Sequence, residues 1–251
     1  VNRPYMGRHK ACPYVSGICA ALVAVVLCAS FMGCAHRPMY NPDYMSAAQF
    51  DKMARTVLAP VYPLLARQIL LDYGITFGDC LDVGGGGGYL AIELAQRSGI
   101  NVTVLDIDPE AIEIARRNIE EAGLEDRIDT VVADAARMPF KDSSFELVIS
   151  RGSFFFWEDK VGGLREVYRV LKPGGIGFIG GGFGRMLPRK ERAKIVRSLC
   201  AQNPHWREQQ TSRLEAAKIL DEAGITNYSL LRDAAPELPC PCGLWVEIHK
   251  P

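Results

Sequence analysis

Apolar positions along the chain follow two rhythms, the 3.6-residue repeat of helices lying on a core and short continuous runs that suit buried strands. Ser46 with Gln49 three residues on is a capping-box pattern, and it opens a helix through Phe50, Met53, Ala54 and Val57. Pro60 and Pro63 break that helix, and Leu64 to Asp72 forms a second one that Gly74 stops. From Cys80 the pattern predicts strand 80–83, helix about 89–98, strand 102–106, helix 109–122 and strand 128–132. Asp108 caps the second of these helices, with Pro109 at its first position and Gly123 as its stop. Strand 145–149, helix about 159–171 and strand 175–180 follow, then helices at about 188–200 and 212–223 and strands at about 226–232 and 244–249. Alternating strands and helices predict a parallel sheet covered on both faces. The last two strands can pair as a hairpin across the turn holding Pro236, Pro239 and Pro241, which puts antiparallel strands on one edge.

A chain of 251 residues, 48% hydrophobic and 23% charged, can bury a full core and still carry an N-terminal appendage. Its 29 basic and 29 acidic residues are mixed along the chain, so no long-range field gathers a polyanion. Nucleic acid is therefore not expected as a partner, and a small molecule is. The eight cysteines, at 12, 19, 28, 34, 80, 200, 240 and 242, match neither a disulfide scaffold nor a Cys-x-x-Cys metal knuckle, and no metal is expected.

Residues 14–35 carry no charge and follow the basic cluster Arg8, His9 and Lys10. That length crosses a bilayer, which makes membrane association an expectation, and it equally fits a secretory signal. Phe31-Met32-Gly33-Cys34 resembles the lipobox of bacterial lipoprotein signals, with Phe31 where that motif prefers Leu. A third reading places the true start at Met39 or Met45, because the folded pattern begins only at Ser46.

The chemistry concentrates at Cys80-Leu81-Asp82-Val83, an apolar strand that runs through five glycines, Gly84 to Gly88, into the helix beginning Tyr89-Leu90. Five glycines directly after a strand carry a large entropy cost unless a ligand or tight packing offsets it. A dinucleotide fingerprint, Gly-x-Gly-x-x-Gly, fails in both frames, since its sixth position falls on Tyr89 or Leu90. The spacing that fits is Asp82-x-Gly84-x-Gly86-x-Gly88, and a second acid, Asp106, ends the next strand 24 residues after Asp82. Gly88 suits close packing of the first helical turn.

This spacing resembles the first motif of class I S-adenosylmethionine-dependent methyltransferases. Val132-Ala133-Asp134-Ala135, the approach Asp142-Ser143-Ser144-Phe145-Glu146-Leu147-Val148 and the turn Leu171-Lys172-Pro173-Gly174-Gly175 resemble later motifs of the same family, over about residues 46–249. The resemblance implies S-adenosyl-L-methionine as cofactor and an α/β Rossmann-like three-layer sandwich. It also implies a seven-stranded sheet in the order 3-2-1-4-5-7-6 with strand 7 antiparallel. Gly84 and Gly86 would let backbone approach the methionine portion, Asp82 would suit its ammonium group, and Asp106 would accept the ribose hydroxyls. Ile107 would lie on the adenine, and Asp134 with Ala135 would meet its amino edge. Asp106 is also placed to cap the following turn, and Asp134 to be a solvated loop acid. Residues 39–251 would form the methyltransferase domain and 1–38 a hydrophobic leader. A cytoplasmic catalytic domain is favoured, because an exported copy would be starved of the cofactor.

The acceptor is expected beyond the fourth strand, at Ser150-Arg151-Gly152-Ser153-Phe154-Phe155-Phe156-Trp157. Arg151 is placed to bind an anionic acceptor or the cofactor carboxylate, or to make a surface salt bridge. Phe154 to Trp157 would roof the methyl or pack as core. The stretch lacks the Asn/Asp-Pro-Pro-Tyr/Phe signature of amino-directed DNA and protein-glutamine methyltransferases. His205 is the candidate base, against a surface histidine. Cys200, Cys240 and Cys242 invite comparison with arsenite methyltransferases, against structural thiols. The competing readings are a domain that binds the cofactor without turnover and an NAD-dependent oxidoreductase.

Overall fold

A computed structural model describes residues 45–202, 211–233 and 243–251. Two helices, α1 (Ala47–Thr56) and α2 (Val61–Tyr73), precede the first strand. α1 opens on the expected capping box, with the Ser46 hydroxyl accepting the Gln49 amide and the Gln49 side chain accepting the Ser46 amide. α2 begins at Val61, earlier than the expected Leu64, so Pro63 lies inside its first turn. An N–H in a first turn has no helical acceptor, and proline gives up nothing there.

The alternation expected from Cys80 is present. It runs β1 (Phe77–Val83), α3 (Tyr89–Arg97), β2 (Gly99–Asp106), α4 (Pro109–Glu121), β3 (Ile128–Val132), β4 (Phe145–Arg151) and α5 (Lys160–Val170). β5 (Leu171–Gly180), α6 (Arg189–Gln202), α7 (Arg213–Ala223), β6 (Tyr228–Arg232) and β7 (Leu244–His249) complete it. β1 and β2 start earlier than expected because Phe77 and Gly78 pair with Gly99 and Ile100, and ladder bonds need no apolar side chain. Leu171 pairs with Phe145, and the register shifts between Phe145 and Leu147. The expected turn at 171–175 is thus an irregular extension of β5.

Sheet order is β3-β2-β1-β4-β5-β7-β6, and β7 runs antiparallel to both neighbours. Strand alternation sends successive side chains to opposite faces. Cys80, Val104, Leu147, Ile149 and Phe178 join one core with α2, α3, α4 and α6. Leu81, Val83, Val148, Ile179 and Val246 join a second with α5 and α7.

The glycine run Gly180-Gly181-Gly182 lies against β7. A Cβ at Gly180 would run into the Leu244 carbonyl, and one at Gly182 into the Trp245 indole. Asp233 then ties the loop down, accepting the Phe183 amide at 2.5 Å, the Gly184 amide at 3.1 Å and the Trp245 indole N–H at 2.9 Å. Its charge faces the buried Arg192 guanidinium at 3.4 Å. Asp233→Ala strands that guanidinium in the core, and urea denaturation is expected to show a loss of about 3–5 kcal/mol. A loss under about 1 kcal/mol would mean that another group answers Arg192.

Candidate functional site

The turn Gly84–Gly88 joins β1 to α3 at the carboxyl end of the sheet, where strand order reverses between β1 and β4. Open α/β sheets bind ligands at such a point. Gly84 and Gly85 donate to the Leu105 carbonyl at 2.6 and 3.1 Å, and Gly86 donates to the Asp106 carboxylate at 2.9 Å. A side chain at Gly84 would collide with Ser153, whereas Gly86, at φ 54°, has nothing within 4 Å of where a Cβ would stand. Gly152, at φ 81°, faces open space in the same way. Two left-handed glycines open to solvent beside the strand ends leave a cradle bounded by backbone, which fits close approach of a ligand.

Asp82 is 2% exposed. Burial, with the Asp106 charge nearby, pushes its carboxyl up to about 7 against a hydrogen bond from the Ala91 amide. Asp106 takes the Gly86 amide on one oxygen and the Asp108 amide, at 3.0 Å, on the other. Turn capping therefore does occur at Asp106, and each oxygen keeps a second lone pair. Burial raises its pKa despite these bonds. Ile107 beside it is 53% exposed. Asp134 accepts the Ala136 amide at 2.9 Å and lies 3.7 Å from Arg137, and Ala135 is buried in the second core.

Arg151 ends β4 with no carboxylate at ion-pair distance among the described residues, so the surface salt bridge is absent there. Its guanidinium lies 5.6 Å from the Tyr62 ring centre and 5.8 Å from that of Phe183, and its Nε donates to the Gly182 carbonyl at 3.3 Å. The aromatic run divides. Phe154 and Trp157 are buried, 5.2 Å apart edge to face, while Phe156 is exposed and meets Phe50 of α1 at 6.0 Å. Residues 154–156 form a 3-10 turn that the apolar pattern did not predict. Ser153 donates to the Val83 carbonyl at 2.8 Å and accepts the Trp157 indole N–H at 3.1 Å, which clamps this turn to β1.

Sequence reading missed the helix residues that close the site. Tyr62 stacks on Tyr89 at 5.3 Å, the Tyr89 hydroxyl donates to Asp51 at 2.5 Å, and Asn118 donates to the Gly87 carbonyl at 2.8 Å. None belongs to a motif, so pattern alone had no signal for them. His205, Cys240, Cys242 and the stretch 14–35 lie outside the described residues. Cys200 is half-buried against the first core. No described helix is long and apolar enough to cross a membrane.

Asp82 should make stability depend on pH. Its carboxyl titrates near 3.8 when unperturbed and at about 7 here. The folded chain therefore holds a proton that the unfolded chain has released, and stability falls as pH rises from about 4 to about 7, then stays lower. Asp82→Asn removes the penalty. Its melting temperature is expected to exceed the wild type by several degrees at pH 8 and to approach it at pH 4; an equal difference at both pH values would contradict the burial argument.

A family model described as a methyltransferase domain matches residues 81–179. The ubiquinone/menaquinone biosynthesis C-methyltransferase UbiE of Pseudoalteromonas translucida is 34% identical over 132 residues, 51% of this chain and 53% of that protein. The demethylmenaquinone methyltransferase of Chlorobaculum tepidum is 38% identical over 109 residues, 43% and 41% of the two chains. This chain thus spans about half the length, or less, of these curated relatives. A solved structure from Methanococcus maripaludis, assigned as an S-adenosyl-L-methionine-dependent methyltransferase, matches with a TM-score of 0.73 at 38% identity, over 81% of this chain and 91% of that one. With that coverage, on this sheet order and this glycine turn, the chain belongs to the methyltransferases whose cofactor is S-adenosyl-L-methionine.

Proposed function

We propose that residues 39–251 bind S-adenosyl-L-methionine across Gly84–Gly88 and transfer its methyl group to a small-molecule acceptor by in-line displacement. The observation that carries this reading is the open cradle at Gly86, whose amide is already turned onto the Asp106 carboxylate. The lone pairs left on Asp106 suit two ribose hydroxyls. Exposed Ile107 offers an apolar surface to the adenine, with Asp134 and Ala135 at its far edge. Asp82 stands at the ammonium end. The bound cofactor supplies a methyl group already activated on a sulfonium, so the protein's work is to align the acceptor and keep water out.

Gly152, Arg151 and Phe156, at and just beyond the end of β4, are proposed to line the mouth at which an acceptor would arrive. The relatives, a ubiquinone/menaquinone biosynthesis C-methyltransferase and a demethylmenaquinone methyltransferase, support a small acceptor over a macromolecule. Arg151 and His205 are the residues proposed to contact it, His205 only where the acceptor must lose a proton. Residues 1–38 are proposed as a leader separate from the enzyme, which would work where the cofactor is made, in the cytoplasm.

Calorimetric titration with S-adenosyl-L-methionine and S-adenosylhomocysteine, with NAD as control, tests this reading. Both adenosyl ligands are expected to bind, about tenfold or more weakly in Asp106→Ala, and not at all in Gly86→Val, where the side chain fills the cradle. Binding of NAD alone, or of none of the three, would overturn it.

A further inference from the structure

α1 touches the site on two sides. Toward the glycine turn, Asp51 accepts the Tyr89 hydroxyl at 2.5 Å, and Arg55, one helical turn on, donates to the side-chain carbonyl of Asn118. Asn118 lies buried in α4 and donates its own amide to the Gly87 carbonyl at 2.8 Å. Arg55 Nε closes the ring by donating to Asp51 at 3.1 Å, and its guanidinium also faces Glu121 of α4 at 3.9 Å. Toward the acceptor side, Phe50 meets Phe156 edge to face, with ring centres 6.0 Å apart.

Gly87 differs from Gly86 in what surrounds it. A Cβ at Gly87 would strike the Tyr89 ring and crowd the Asn118 amide at 3.0 Å and Asp51 at 3.2 Å, whereas one at Gly86 would stand in open space. The turn therefore has one open side and one side filled by this ring of residues. The Gly87–Gly88 peptide is fixed at both ends, its carbonyl by Asn118 and its N–H by the Gly85 carbonyl at 2.9 Å. A guanidinium only donates, so Arg55 selects the orientation of the Asn118 amide that leaves its N–H for Gly87.

Little apolar surface holds α1 down. Its buried residues are Ala47 and Ala54, and Ala47 joins only Ala111 and Ile114 in a small cluster apart from the two main cores. Met53 is half-buried against the first core. Elements with few buried apolar contacts open at low cost, so the seating of α1 depends on the polar ring. A ligand that fixes the turn then shifts the equilibrium of the helix tied to it.

Resting on the cofactor reading above, we infer that α1 is a closing helix on the acceptor side of the site, and that Arg55, acting through Asn118, is a positioning residue that couples its closure to the cofactor's glycine turn. With cofactor on the turn, the ring seats α1 and holds Phe50 against Phe156. The acceptor-side wall is thus completed in the cofactor-loaded protein.

The test is amide hydrogen exchange on the full chain, with and without S-adenosylhomocysteine, in wild type, Arg55→Met and Tyr89→Phe, with calorimetry of the same ligand on each. In wild type the ligand is expected to slow exchange in α1 about fivefold or more. In both variants that slowing is expected to fall to about twofold or less, and the ligand to bind about threefold or more weakly, because coupling acts equally in both directions. A wild-type α1 that exchanges at one rate with and without bound ligand would overturn the coupling. Variants whose α1 exchanges faster but keeps the full ligand-dependent slowing would overturn it too, leaving the ring a structural tie only. Tyr89→Phe keeps the ring stack on Tyr62, so it decides the matter even where Arg55→Met does not fold. Wild type that binds no S-adenosylhomocysteine would overturn the cofactor reading itself.

Discussion

Gly84 has no room for a side chain, and the arrangement of the site follows from that. Its backbone is pressed between the end of β2, where the Leu105 carbonyl takes the Gly84 and Gly85 amides, and Ser153 beyond β4. Ser153 in turn bonds the last carbonyl of β1, so three strand ends are locked at one point. With the turn held there, the Gly86 amide is aimed at Asp106 and the space above Gly86 stays open. A single Cβ at Gly84 would push the turn off this anchor, and the open cradle two residues away would close or shift.

Two acids are kept close together in a buried place, and the fold carries a cost for it. Asp82 has burial and the Asp106 charge against it, and the Ala91 amide only partly compensates. Asp106 is better served, by the Gly86, Asp108 and Ile107 amides, yet burial still prevails. Perturbed carboxylates in a cleft are common at functional sites, though ion networks built for stability also produce them. Here both acids border the same glycine turn, so the electrostatic cost falls where a cationic, hydroxyl-bearing ligand would relieve it.

The setting of Arg151 depends on a second buried network, remote from the turn. Asp233 and Arg192 pin the loop after β5 from below, and that loop presents Phe183 to one side of Arg151 and the Gly182 carbonyl to its Nε. Gly180 and Gly182 are bare because β7 and Trp245 occupy the space. The loop's glycines thus serve packing, and the loop meets Arg151 through the Phe183 ring and the Gly182 carbonyl.

The helix caps at Ser46 and Asp108, the glycine turn and the acid at Asp106 were all legible in the chain, because each depends on residues a few positions away. That Asp82 and Arg151 share a face was not legible, because it depends on the β1–β4 register as well as on alternation within each strand. The early starts of β1 and β2 were not legible, because backbone pairing with a neighbouring strand leaves no mark in hydrophobicity. Pro63 looked like a break and became a first-turn residue because the chain re-entered a helix at Val61. Tyr62, Asp51, Asn118 and Asp233 belong to no motif and reach the site across long sequence separations. That α2 covers the face carrying both charges, and that Asp233 seats the loop behind Arg151, came from packing of helices onto the finished sheet. Side-chain periodicity records which way a residue points, and nothing in it records which distant element arrives to meet it.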